Sequence, residues 1–93
     1  VFIMSIPDWG ITPFASGRDR NVIANEIDKY NAVCEKYSKA YGANFINITD
    51  GYRMDGYKTD YLAVDGLHPS KLEYTKWAIK LTQQIVNVFA AGG

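Results

Sequence analysis

Two short, densely apolar runs alternate with two long stretches in which apolar residues return every third or fourth position. Val1-Phe2-Ile3-Met4-Ser5-Ile6 is almost continuously apolar and rich in β-branched residues, which fits an interior parallel strand buried on both faces better than an alternating one. Pro7-Asp8-Trp9-Gly10 breaks the run, and residues 12–17 continue as a loop containing Pro and Gly, the kind of loop that carries binding sites when it leaves the carboxyl end of a parallel strand. From about Asp19 to Tyr41, the positions Ile23, Ile27, Tyr30, Cys34, Tyr37 and Tyr41 form one helical stripe, opposite polar positions such as Asn25, Lys29, Glu35, Lys36 and Lys39. Gly42 follows as a left-handed stop. The stripe is read as a core-facing surface. Residues 43–48, with Phe45, Ile46 and Ile48, predict a second strand, and a strand-helix-strand unit of this length predicts a right-handed crossover with parallel strands.

Residues 49–63 read as a polar connection rich in Tyr and Gly. Asp50, Asp55 and Asp60 fall there five apart, a spacing that suits a solvated loop rather than a compact oxygen-ligand site. Ser70-Lys71-Leu72-Glu73 has the form of a capping box, with Ser70 accepting from a free amide and Glu73 reaching back. It opens a helix whose stripe is Tyr74, Ala78, Leu81, Ile85 and Val88, widened by Trp77 and Phe89, before Gly92-Gly93. The predicted class is therefore α/β, with the order strand, helix, strand, helix.

Composition narrows the partners more than the chemistry. The 93 residues suit one small domain, and ten basic residues against ten acidic ones give no electrostatic case for nucleic acid or an anionic membrane. No apolar run reaches the length of a membrane span. A single cysteine, Cys34, has no internal disulfide partner and leaves the compartment open. No metal site or cofactor is expected. A chain that begins directly in an apolar run looks like a piece of a longer protein.

The only histidine, His68, lies in Val64-Asp65-Gly66-Leu67-His68-Pro69-Ser70. Gly66 and Pro69 impose a tight, non-helical path. A histidine whose ordinary pKa is about 6.5 takes and returns protons near neutrality, and a carboxylate on one ring nitrogen fixes the tautomer so that the other faces a nucleophile. Asp65 is placed to be that carboxylate. A turn, a pre-proline residue and a helix cap would also account for these residues without any chemistry.

Asp65-Gly66-Leu67-His68-Pro69-Ser70, followed by Tyr74 and Trp77, resembles the closing block of the SGNH hydrolases, also called GDSL esterases and lipases. Upstream, Ile6-Pro7-Asp8-Trp9-Gly10-Ile11-Thr12-Pro13-Phe14 resembles a strand and loop of bacterial members, and Tyr30-Asn31 resembles a pair on their next helix. The resemblance implies a partial domain over residues 1–93, the carboxyl-terminal portion of a flavodoxin-like three-layer α/β/α fold. It implies ester hydrolysis, of an O-acetylated carbohydrate among other esters, with His68 as base and Asp65 as its orienting acid. On that reading Trp9, Phe14 and Tyr61 are candidates to line a substrate pocket, and packing residues are an equal account of them. The family's Gly-Asp-Ser nucleophile block and its oxyanion-hole Gly and Asn have no counterpart here: Ser5, Ser16, Ser38 and Ser70 sit in other contexts. The expectation is an isolated chain without activity, completed by an amino-terminal half of the same domain or self-associated through open strand edges. A non-catalytic α/β interaction module is the alternative.

Overall fold

The computed structural model describes residues 1–90. It is mixed α/β, mostly helical, with one two-stranded parallel sheet. Strand β1 (Phe2–Met4) pairs with β2 (Asn44–Ile46) in the register Phe2 to Asn44, Ile3 to Phe45 and Met4 to Ile46, as the crossover rule requires. Both strands are shorter than the apolar runs that contain them, and β1 is half-buried throughout instead of covered on both faces. The cause is the size of the sheet: with two strands, each has one unpaired edge. The Asn44 amide donates to the Val1 carbonyl and the Ser5 amide to the Ile46 carbonyl, so the main-chain groups of Phe2 and Met4, which alternate with these, point away from β2.

Helix α1 (Arg20–Ala40) begins where Asp19 accepts from the amides of Asn21 and Val22, a cap that satisfies donors with no partner inside the helix. It ends before Gly42, whose φ of 74° is open to glycine at little cost. The stripe splits. Ile27 is buried and Ile23 half-buried, but Tyr30, Tyr37 and Tyr41 are exposed, which corrects the core-facing reading for the second half of the helix. The sheet is too narrow to reach them.

The connection after β2 is not a plain loop. Residues Thr49–Asp55 form a short helix, α2. The Asn47 side chain starts it by accepting from the amides of Thr49 and Asp50, and Tyr52, 1% exposed, anchors it in the core. Burial first, and then the neighbouring Glu73 carboxylate, push the Tyr52 phenol up to about 12. Asp50 accepts from the Asn47 side-chain amide and Asp55 from Lys58 and Lys76.

Helix α3 (Lys71–Ala90) fits the predicted range, but its capping box closes only halfway. The Ser70 hydroxyl accepts from the Leu72 amide at 3.3 Å, whereas the Ser70 amide, the group Glu73 was expected to reach, donates to the Tyr61 carbonyl at 2.9 Å. Glu73 instead turns inward, fully buried, and accepts from Lys76. Lys76 also donates to the Gly51 carbonyl at 2.9 Å and to Asp55, and Trp77 packs on Tyr52 at 6.1 Å. The inward face runs from Glu73 and Trp77 through Leu81, Ile85 and Val88, so the predicted stripe holds at its later positions, while Tyr74 and Ala78 at its start and Phe89 at its edge are exposed. Gly92 and Gly93 lie outside the described residues.

The core is small and unusually polar. Ala15, Ile27, Ile46, Ile48 and Tyr52 are buried beside Ser5, Asp8, Thr12, Ser38, Thr49 and Glu73. Ser5 accepts from the Ile48 and Thr49 amides at 2.8 and 3.1 Å, continuing strand pairing past β1 with a side chain. The Asn31 amide receives the Ile6 amide at 2.8 Å and donates to Thr49 Oγ1 at 3.0 Å. Helix α1 is thereby tied to the ends of both strands.

Candidate active site

The polypeptide between β1 and α1 forms two 3-10 turns, Trp9–Ile11 and Pro13–Ala15. Asp8 Oδ1 accepts from the Gly10 amide at 2.9 Å, and its Oδ2 takes Arg53 Nε at 2.9 Å. The Arg20 guanidinium holds the carbonyls of Gly10 and Thr12. Gly10 must be glycine because a Cβ there would come within 2.8 Å of Ile23 on α1. These contacts fix the loop that carries Trp9 and Phe14.

The second loop leads from the 3-10 turn Thr59–Tyr61 to α3. Leu62 and Pro69 form an antiparallel bridge, the Ala63 amide donates to the His68 carbonyl at 2.8 Å, and the Gly66 amide donates to the Ala63 carbonyl at 3.1 Å. Gly66, at φ 69°, lies in the left-handed region that a residue with a Cβ enters only with strain. The result is a closed turn with Asp65 and His68 on its rim.

Asp65 uses its two oxygens differently. Oδ1 accepts from the amides of Leu67 and His68 at 2.9 and 3.0 Å, building the turn. Oδ2 lies 2.5 Å from His68 Nδ1. The bond from His68, and then the two amides, lower the Asp65 carboxyl to about 2, so it is ionised at neutral pH and the Nδ1 proton belongs to the imidazole. The His68 side chain is 67% exposed, and Nε2 has no hydrogen-bond partner among the described residues.

The two loops meet. The Phe14 amide donates to the Gly66 carbonyl at 3.2 Å, and Pro13 packs beside Gly66. Trp9 and Phe14 contact edge to face at 6.4 Å. The structure therefore brings Phe14, and Trp9 through it, against the Asp65–His68 turn. Tyr61 is different: its main chain holds Ser70, while its ring lies 5.4 Å from Lys76 Nζ, which ties it to the base of α3.

Serine is missing at His68. Ser5 is enclosed by Ile48 and Thr49, Ser38 donates to the Cys34 carbonyl, and Ser70 donates to the Asp60 carbonyl at 2.6 Å. Ser16 is exposed at the end of the Pro13–Ala15 turn. Among the described residues no group of three or more His, Cys, Asp and Glu side chains would hold a metal ion, and no helix is long and apolar enough to cross a membrane. Two features escape a linear reading: the Arg53 bridge to Asp8 and Asp28, and Arg18, which lies over the rings of Trp9 and Phe14. The concentration of Arg18, Asp19 and Arg20 after Gly17 hints at the second, and no local signal marks the first.

No family model, curated protein or solved structure matches the chain.

Proposed function

We propose that this chain supplies the base and its orienting acid to the Ser-His-Asp triad of an SGNH-type ester hydrolase, as the carboxyl-terminal half of a flavodoxin-like three-layer domain. The observation that carries this reading is His68, with Nδ1 held by an ionised Asp65 and Nε2 exposed without a partner. In that state the imidazole accepts a proton from a hydroxyl attacking an ester carbonyl. Asp65 stabilises the resulting imidazolium, which returns the proton to the leaving alcohol.

The nucleophile and the oxyanion donors come from outside the chain. The unpaired edge of β1 and the exposed aromatic half of α1 support an amino-terminal half, adding strands at Phe2 and Met4, as the partner. A second copy pairing by the same edge is the other way to cover them. The chain alone is then inactive.

One observation favours a second reading. Asp65 Oδ1 already has an architectural task in the turn, which is all that a non-catalytic α/β interaction module would need. Asp65→Asn separates the two, because the amide oxygen keeps the turn while the amide nitrogen donates to Nδ1 and moves the ring proton to Nε2. In the full-length protein, hydrolysis of a short p-nitrophenyl ester is expected to collapse in Asp65→Asn and His68→Ala with the fold intact. Full activity in His68→Ala would sink the esterase assignment.

A further inference from the structure

One cation on the loop that meets the His68 turn has no ionic partner among the described residues. The Arg18 guanidinium carbon lies 5.5 Å from the centre of the Trp9 ring and 5.8 Å from that of Phe14. Its main-chain amide closes the loop on the Ala15 carbonyl at 3.0 Å. The neighbouring Arg20 is held through Nη1 by the Gly10 and Thr12 carbonyls, whereas the Arg18 side chain makes no hydrogen bond or ion pair among the described residues.

The carboxylates on the same loops are held elsewhere. Asp8 is taken by Arg53 and the Gly10 amide, Asp19 caps the first amides of α1, and Asp65 is bound by His68. Stacking on an aromatic face attracts the charge and narrows the rotamers, yet leaves the planar N–H fork open. That fork matches a carboxylate through two parallel hydrogen bonds.

Position gives the feature its meaning. Phe14, half of the platform, donates its amide to Gly66, the residue between Asp65 and Leu67 in the His68 turn. The loop bearing the guanidinium and its aromatic platform is thus hydrogen-bonded to the turn that carries His68.

We propose that Arg18, on its Trp9–Phe14 platform, is a specificity-determining residue that binds a carboxylate carried by the ester substrate, so that esters of acidic sugars such as uronates are preferred over neutral ones. This rests on the esterase reading for the word substrate, but the binding is measured without hydrolysis. Glucuronate titrated into the nitrogen-15-labelled chain is expected to shift the Trp9 indole N–H resonance saturably, while that of Trp77, whose Nε1 is enclosed, stays in place as a check on folding; Trp9→Phe assigns the two signals. Glucose at the same concentrations is expected to leave both unmoved. Arg18→Gln is expected to weaken the glucuronate response at least tenfold, and Arg18→Lys severalfold, because an ammonium keeps the charge and loses the fork. His68→Ala is expected to bind as the parent does, so the esterase reading and this one fail separately. The absence of a saturable shift, an equal response to glucose, or undiminished binding in Arg18→Gln overturns the proposal.

Discussion

Asp8 and Asp65 are built alike and placed oppositely. Each gives Oδ1 to the turn it opens, Asp8 to one backbone amide and Asp65 to two, and Oδ2 to a nitrogen of a basic side chain. Asp8 is 2% exposed, and its partner Arg53 is bound at further nitrogens by Asp28 and the Ala24 carbonyl. Asp65 stands at the surface, and the far nitrogen of its partner is left to solvent. The same two-oxygen arrangement is enclosed where all three nitrogens of the basic partner are bound, and open where the partner keeps one nitrogen without a hydrogen bond among the described residues.

That contrast can be broken from either side. On the proposed esterase reading the largest effect is expected at the open pair: with the proposed serine-bearing half present, His68→Ala should lower kcat on a p-nitrophenyl ester by about 10⁴-fold or more, and Asp65→Asn by about 10⁴-fold, as losses of a base and of its correct tautomer do. Urea unfolding midpoints should hardly move in either. At the closed pair the order reverses. Asp8→Ala leaves Arg53 and the Gly10 amide without their acceptor and should cost about 3 kcal/mol in urea unfolding, the scale for breaking an enclosed ion pair.

Smaller changes sharpen the comparison. Gly66→Ala puts a side chain at φ 69° and should cost about 1 kcal/mol, read in the same unfolding experiment, with a shifted His68 ring resonance because the turn moves. The smallest effect is in acid. Asp65 titrates in the folded chain near 2, below its ordinary 3.8, so its pairing contributes fully above pH about 4 and is lost as the pH falls through about 2. A carbon-13 titration of the Asp65 carboxyl should give that midpoint, and a midpoint near 4 would mean that neither the bond to His68 nor those to the Leu67 and His68 amides hold in solution.

What could be read from the chain alone follows the range of the interactions. The span of α1 was legible because Asp19 and Gly42 mark its ends locally. The parallel pairing of β1 and β2 was legible because a crossover of that length admits little else. Helix α2 was not: residues 49–55 contain Gly51 and no apolar repeat, and they are helical because Asn47 and Ser5 take their first amides and Tyr52 is buried. Glu73 was misread for a similar reason, since the Ser70 amide was already committed to Tyr61 across the turn. The Asp65–His68 pair was legible because its bonds span three residues; Phe14 joined it through a contact 52 residues along the chain, which no local pattern encodes. The exposure of Tyr30, Tyr37 and Tyr41 is a matter of sheet width, and periodicity is blind to it.

The Asn31 amide gives the chain an internal timer. Ser5 donates its amide to the neighbouring strand, but Ile6, the next residue, donates to a side chain on α1. Adjacent amide protons therefore exchange with solvent through different events, the parting of the strands for Ser5 and the undocking of the helix for Ile6. If Ile6 exchanges well before Ser5, α1 peels away from an intact sheet; if both exchange together, helix and sheet open as a single cooperative unit.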